Sequence, residues 1–303
     1  MTTDTLHRFI FQNAPVKGEL VHLPNTWRDM RAHRRYPAVV EKLLGEVVAA
    51  SALLSANLKF DGSLIMQIHG DGPVELLVAE CRSDLSIRAT AKVREHAQTN
   101  TDMTLTDLVN VSGQGRFAIT LDPNNRQEGQ QPYQGIVPLA GNSMADVIMH
   151  YMQTSEQLDT VVQLAADGDN AAGFLLQRLP SHGGGLNVEF AQNWEDLEAI
   201  ARTLSHDELL NNDTDTLMHR LFWEHARDVH TTEPVQFACT CSPTKVLNML
   251  TMLGEEEAFE MIDEDNEVNV SCDFCGQNYV LSAAQVRALF EPDADVGTLG
   301  KLH

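Results

Sequence analysis

Toward the C-terminal end of the chain, FACTCSPTK at 237 to 245 places Cys239 and Cys241 one residue apart, and SCDFCGQ at 271 to 277 adds Cys272 and Cys275. In an extended C-x-C segment, residues i and i+2 project to the same side, so both thiols can reach one ion. In C-x-x-C, the Gly276 that follows Cys275 permits a tight turn that brings Cys272 and Cys275 together. The thirty residues between the pairs include SPTKVLNMLTMLG, which predicts a helix with Ser242 as N-cap, Pro243 in its first turn and Gly254 just past its end. A unit of roughly 55 residues buries little core, so a tetrahedral zinc thiolate site is the expected main support. A permanent, inert zinc staple and unpaired core cysteines are the alternatives.

Thiols mean disulfides in a secreted protein and metal or redox chemistry in a cytosolic one. The N-terminal stretch MTTDTLHRFIFQNAPVKGEL contains no apolar signal core. The longest weakly polar run, VVAASALLSANL, falls short of the roughly 20 residues of a membrane span and follows Glu41, Lys42 and Glu46. A soluble, cytoplasmic chain is expected, with no membrane partner. Its 303 residues suffice for more than one domain. A formal charge of -22 repels phosphate backbones and argues against nucleic acid as partner.

Hydrophobic alternation fills the first half. SLIMQIHG and VELLVAEC read as strands joined at DGP, LSIRATAKV as a third, and GQGRFAIT and GIVPL as two more. Val39, Val40, Leu43, Leu44, Val47, Val48 and Leu53 recur at helical spacing after Pro37, and SMADVIMHYMQTSEQL predicts a second helix. The fold class is therefore α+β: a mixed core domain at 1 to 182, a helical, metastable linker at 183 to 236, a four-cysteine zinc domain at 237 to 290 and a tail at 291 to 303. The first boundary falls at LPSHGGGLN, residues 179 to 187, where three glycines follow a proline.

From Leu186 to Gln236 there are 11 acidic residues against three arginines, a net of -8, on a helical pattern. Trp194, Leu197, Ile200, Ala201 and Leu204 form one apolar stripe, Ser205 with Glu208 predicts a capping box, and Leu217, Leu221 and Phe222 line a further helix. Segments this short and charged need docking to be stable. The stripe, together with Leu221, Phe222 and Trp223, is expected to lie on an apolar surface of the core.

LLGEVVAASALLSANLKFDGSLIMQIHGDGPV, YQGIVPL, YMQTSEQ, MHRLFWE, and above all FACTCSPTKVLNMLTMLGEEE with VSCDFCGQNY, resemble the redox-regulated 33 kDa heat-shock chaperones, a family of bacterial holdases. The resemblance implies an ATP-independent chaperone, inactive while reduced and zinc-bound, that oxidation converts into a form binding unfolding client proteins, with a homodimer as the oxidised species. It makes Cys239, Cys241, Cys272 and Cys275 both the zinc ligands and the redox switch. Proximity pairs Cys239 with Cys241 in a small, strained ring and Cys272 with Cys275.

A thiol oxidoreductase working through Cys272 and Cys275 would be expected to show a thioredoxin-like βαβ setting, which the pattern lacks. A zinc-ribbon interaction module for nucleic acid conflicts with the acidity. No catalytic constellation is legible, so no enzyme is expected. Cys81, at the end of a strand, reads as a buried small apolar residue rather than a fifth redox thiol. His206, His219, His225 and His230 read as solvated helix positions, the run from Glu255 to Asp265 as a solvated face, and Gly113 with Gly115 as a turn. Met249 and Met252 are expected to pack the small domain or its docking surface.

Overall fold

The computed structural model describes residues 3–126, 131–180 and 188–291, which divide into two compact units meeting between Ala238 and Cys239. Most of the 179 to 187 boundary, and the tail after residue 291, lie outside the described residues.

The first unit opens with the hairpin β1 (Thr5–Phe11) and β2 (Val16–His22), followed by helices α1 (Pro24–His33) and α2 (Ala38–Ser55). Strands β3 (Gly62–His69), β4 (Val74–Arg82) and β5 (Ser86–Val93) follow the alternation read from the sequence. Next come the short helix α3 (Leu105–Val109), strands β6 (Arg116–Pro123) and β7 (Tyr133–Pro138), helix α4 (Met144–Tyr151), and strands β8 (Thr160–Ala166) and β9 (Ala171–Arg178). Three helices, α5 (Val188–Arg202), α6 (His206–Asn211) and α7 (Thr214–Phe222), precede β10 (Arg227–Pro234) and the two-residue β11 (Gln236–Phe237).

Two sheets result. One has the order β10-β1-β2-β9-β8, the other β11-β5-β4-β3-β6-β7. Helix α2 is buried between them because it is apolar almost all round: from Leu43 to Ser55 only Glu46 is not buried. Leu6, Val21, Leu64, Met66, Ile68, Leu77 and Cys81 close over it from the two sheets. The five-stranded sheet is apolar on its second face too, and α5–α7 cover that face with Trp194, Leu197, Ala201, Leu204, Leu209, Leu217, Met218, Leu221 and Phe222 against Phe9, Phe11, Leu20 and Phe174.

The long helix predicted over SMADVIMHYMQTSEQL is shorter. The α-helix ends at Tyr151, and 152–156 form a single wide π-turn closed by Gln157 at φ 57°. The Tyr151 hydroxyl donates to Glu156 Oε1 at 2.7 Å, a five-residue spacing that the wide turn brings onto one side. Gly113 sits in a turn at φ 75°, where Asp71 accepts from the backbone N–H groups of Ser112 and Gln114.

The second unit comprises α8 (Pro243–Leu253), α9 (Glu255–Glu260), the hairpin β12 (Glu267–Ser271) with β13 (Asn278–Ser282), and α10 (Ala283–Ala288). Its core is small: Val246, Leu247, Leu250, Ala258, Val268, Tyr279, Leu281, Val286 and Leu289. Helix α8 is capped as its sequence indicates, with the Ser242 side chain accepting from Lys245 N and Gly254 ending it at φ 100°. Met249 packs on this core, whereas Met252 is 82% exposed: it lies three residues on and faces away from Leu247 and Leu250. Among the described residues, no helix is long and apolar enough to cross a membrane.

Candidate functional site

The chain leaves the first unit in extended form. Gln236 and Phe237 pair with Ser86 and Ile87 on β5, and Ala238 N donates to Ile87 O at 3.1 Å. The C-x-C follows at once. The C-x-x-C occupies the turn between β12 and β13, closed by Cys272 N to Gln277 O at 2.9 Å and Gly276 N to Cys272 O at 2.8 Å. Gly276 sits at φ 67°, a left-handed conformation that glycine adopts without penalty.

These elements bring all four sulfurs within 4.8 Å of one another. The Sγ atoms of Cys239 and Cys272 lie 3.6 Å apart, and those of Cys241 and Cys275 3.4 Å apart. A tetrahedral zinc site with bonds of about 2.3 Å has sulfur–sulfur edges of about 3.8 Å. The donor set and its spacing therefore fit a zinc ion. Burial, reinforced by hydrogen bonds with the neighbouring thiols, holds the Cys275 thiol far above the usual range, so in the protein alone that thiol keeps its proton. A dication reverses that balance, because it stabilises the thiolates. The Tyr279 hydroxyl donates to Cys241 Sγ at 3.1 Å, and that bond is the main cause raising the Tyr279 hydroxyl, which stays protonated as a donor.

Among the described residues this is the only group of three or more His, Cys, Asp and Glu placed to share a metal. Cys81 stands apart on β4, fully buried, its thiol pushed up to about 12 by that burial. His206 and His219 are exposed, and His225 packs edge-on to Phe11 with ring centres 6.2 Å apart. The His230 side chain lies outside the described residues.

The apolar stripe of α5 is buried as its spacing indicates: Trp194, Leu197, Ala201 and Leu204 are at most 7% exposed, and Ile200 packs at the margin. Ser205 and Glu208 form the capping box on α6. Trp223 does not join the docked surface. It is 66% exposed because α7 ends at the buried Phe222 and the next residue turns about 100° away from that face.

Sequence reading missed the partners of these groups. Tyr279, given no role from the sequence, is a hydrogen-bond donor to the four-cysteine cluster. Leu209, fully buried, and Met218 complete the docked face. His22 bonds the Leu209 carbonyl, and Asn170 Nδ2 donates to Leu210 O at 3.2 Å, so core side chains cap the end of α6.

The sequence model of the Hsp33 protein family matches residues 4–282. This chain belongs to the Hsp33 family. Proteins named 33 kDa chaperonin from Chromobacterium violaceum and Methylobacillus flagellatus are 43% and 42% identical to it, with the matched regions covering 96% and 95% of this chain and 95% and 94% of theirs. The crystal structure of the 33 kDa chaperonin from Thermotoga maritima matches with a TM-score of 0.78, covering 95% of this chain and 98% of that one. At 20% identity that likeness establishes a shared Hsp33 fold. Hsp33 membership makes the chain a chaperone, with unfolded proteins as its partners.

Proposed function

We propose that this chaperone is an ATP-independent holdase whose client binding is switched on by oxidation of Cys239, Cys241, Cys272 and Cys275. The observation that carries the reading is the convergence of four thiols from two segments thirty residues apart within 4.8 Å of one another. When bound there, a zinc ion supplies a four-way tie between the C-x-C segment and the C-x-x-C turn, stabilisation of about 10–16 kcal/mol in small zinc units.

A thiolate attacks one oxygen of a peroxide, giving a sulfenic acid and releasing hydroxide; a second thiol then attacks that sulfur, and water leaves. One peroxide and two thiols thus become one disulfide and two waters. The closest sulfur contacts run between the two motifs, Cys239 to Cys272 and Cys241 to Cys275. The reading nonetheless pairs Cys239 with Cys241 and Cys272 with Cys275. These are the sulfurs that stay neighbours once the unit has come apart. Sulfurs joined in this way no longer ligate, and a core of nine buried residues is left to hold the second unit.

The segment from 188 to 222 then undocks from the five-stranded sheet and uncovers Phe9, Phe11, Leu20 and Phe174 for unfolding clients. Exposure of that surface also favours self-association, with a homodimer as the oxidised form. The deciding experiment is an aggregation-suppression assay without ATP, on reduced, zinc-loaded protein and on peroxide-treated protein. Suppression confined to the oxidised form supports the switch, and equal suppression in both forms removes it.

A further inference from the structure

The five-stranded sheet ends in a strand unlike its neighbours. Among the described side chains of β10, Arg227, Asp228, Thr231, Thr232, Glu233 and Pro234, none is buried. The strand that β10 covers is the reverse: Leu6, Phe9 and Phe11 of β1 are at most 3% exposed. A strand whose described side chains all stay out of the core thus covers the backbone ladder of β1.

The pairing has two halves. Leu6 to Arg8 oppose Glu233 to Thr231, the register then shifts, and Phe9 to Phe11 oppose Val229 to Arg227. The first half carries the Arg8–Glu233 ion pair and a bond between Thr232 and His7, and it adjoins Val235, which is buried in the core. The second half is tied to α7. Arg227 Nη1 donates to the Phe222 carbonyl at 2.8 Å, and among the described side chains Gln12, with bonds to Asp228 and to the Ala226 carbonyl, adds a polar anchor.

Phe222 is fully buried and sits in an aromatic seat, with ring centres 5.1 Å from Phe11, 6.0 Å from Phe174 and 6.4 Å from Phe9. Phe9 lies flat over β2 because its cross-strand partner is Gly18; a Cβ there would come within 2.1 Å of the Phe9 ring. When α7 lifts, the seat empties and Arg227 loses its acceptor. The strand is then free to peel from its Arg227 end as far as the register shift.

We propose that the client-docking site is the β1 edge at Phe9–Phe11 together with the seat vacated by Phe222, and that it takes an extended client segment which adds as a strand and places an aromatic side chain in that seat. This rests on the redox reading above and specifies its binding surface. Backbone N–H and C=O groups released from β10 need partners, and an unfolding chain supplies them without regard to sequence. The vacated ring position supplies the preference: an aromatic residue on the side of the strand that faces the seat. An exposed apolar edge is an aggregation hazard in a resting protein, which β10 and α7 prevent by covering it.

Hydrogen exchange on the full chain tests the placement, in the reduced protein, the oxidised protein, and the oxidised protein with thermally unfolding citrate synthase as probe. The expected result is at least tenfold faster exchange on oxidation at 223–229 and at Phe9–Phe11. Added client should restore protection at Phe9–Phe11 while 223–229 stays open. A fluorescent octapeptide of alternating threonine and phenylalanine should bind the oxidised form at least tenfold more tightly than the same peptide with alternate backbone nitrogens methylated.

The inference falls if 223–229 keeps its reduced-state protection in oxidised protein that still holds client, or if Phe9–Phe11 gains no protection on client binding. It also falls if that protection returns with protein concentration alone, which makes a second copy the occupant, or if the two peptides bind equally. All of these outcomes leave the redox switch standing. An oxidised protein that holds no client overturns the switch, and this site with it.

Discussion

The hydroxyl of Tyr279 donates a hydrogen bond to Sγ of Cys241 at 3.1 Å, from the strand that follows the C-x-x-C turn to a thiol of the C-x-C segment. The bond fixes the direction of one sulfur. Partners of this kind usually contribute a factor of 10–100 to metal affinity. Tyr279→Phe keeps the ring that packs in the small core, so the fold should persist while zinc is lost about tenfold more readily to a competing chelator. Cys272→Ser should lose it far more readily still. Titration with a colorimetric chelator measures both, and wild-type retention by Cys272→Ser would remove that residue from the ligand set.

Cys81 is fully buried, and its thiol is pushed up to about 12, which leaves almost no thiolate to react with peroxide. Cys81→Ser should therefore switch on oxidation like the wild type, at a modest cost in stability from a hydroxyl placed in an apolar core. Aggregation suppression by the peroxide-treated variant checks this. A folded Cys81→Ser protein that stays inactive after oxidation would show a fifth thiol in the switch.

What the sequence revealed was local in origin. The alternation of β3 to β5, the periodicity of α2, the caps of α6 and α8 and the approach of the cysteines within each pair are all set by residues within a few positions of one another, where period and capping chemistry act. What it hid depends on pairing across long separations. Phe9 and Phe11 carried no signal of their own in the sequence, and only their contact with Phe222, more than two hundred residues later, makes them a seat. Trp223 was misjudged because composition marked it as apolar while one residue of helix rotation turned it to solvent. The five-residue Tyr151–Glu156 bond widened a turn that periodicity alone reads as α-helix.

Glu46 on α2 borders a cavity of about 260 Å³ with Val39, Leu43, Met103 and Met144, and Lys42 and His206 are the ionisable groups that face it. Burial pushes its carboxyl up to about 7, with Lys42 opposing the shift. A raised folded-state value means that the contribution to stability is fully present below the unfolded value near 4.5 and is lost as pH rises through 7. Glu46→Gln should then match the wild type at pH 4.5 and exceed it at pH 8.5 by about 1–3 kcal/mol, a few degrees in Tm. Partial desolvation of the exposed His206 lowers it, so that residue acts in the opposite sense below pH 6.5, but it is common to both proteins and cancels in the difference. Calorimetry at the two pH values decides it: a Tm difference independent of pH would mean that the carboxyl is not held in its neutral form.

Leu221 on α7 is 8% exposed against the five-stranded sheet, in a strongly acidic segment whose docking rests on the apolar faces of three helices. Truncating a buried leucine costs about 2–5 kcal/mol, enough to open a locally weak element well before the α2 core, whose packing it does not share. Leu221→Ala, and Trp194→Ala on α5, should therefore suppress aggregation without any oxidant while the four cysteines still hold zinc. That combination separates the two stages of the proposed switch, because the metal site is intact and only the undocking has been imposed. Amide exchange in the variants should speed up at 188–222 and remain slow at 38–55, and metal analysis should still return one zinc per chain. If exchange at 188–222 accelerates and the reduced variants still hold no client, uncovering this face of the sheet is not what creates the binding surface, and oxidation must act on some other part of the molecule.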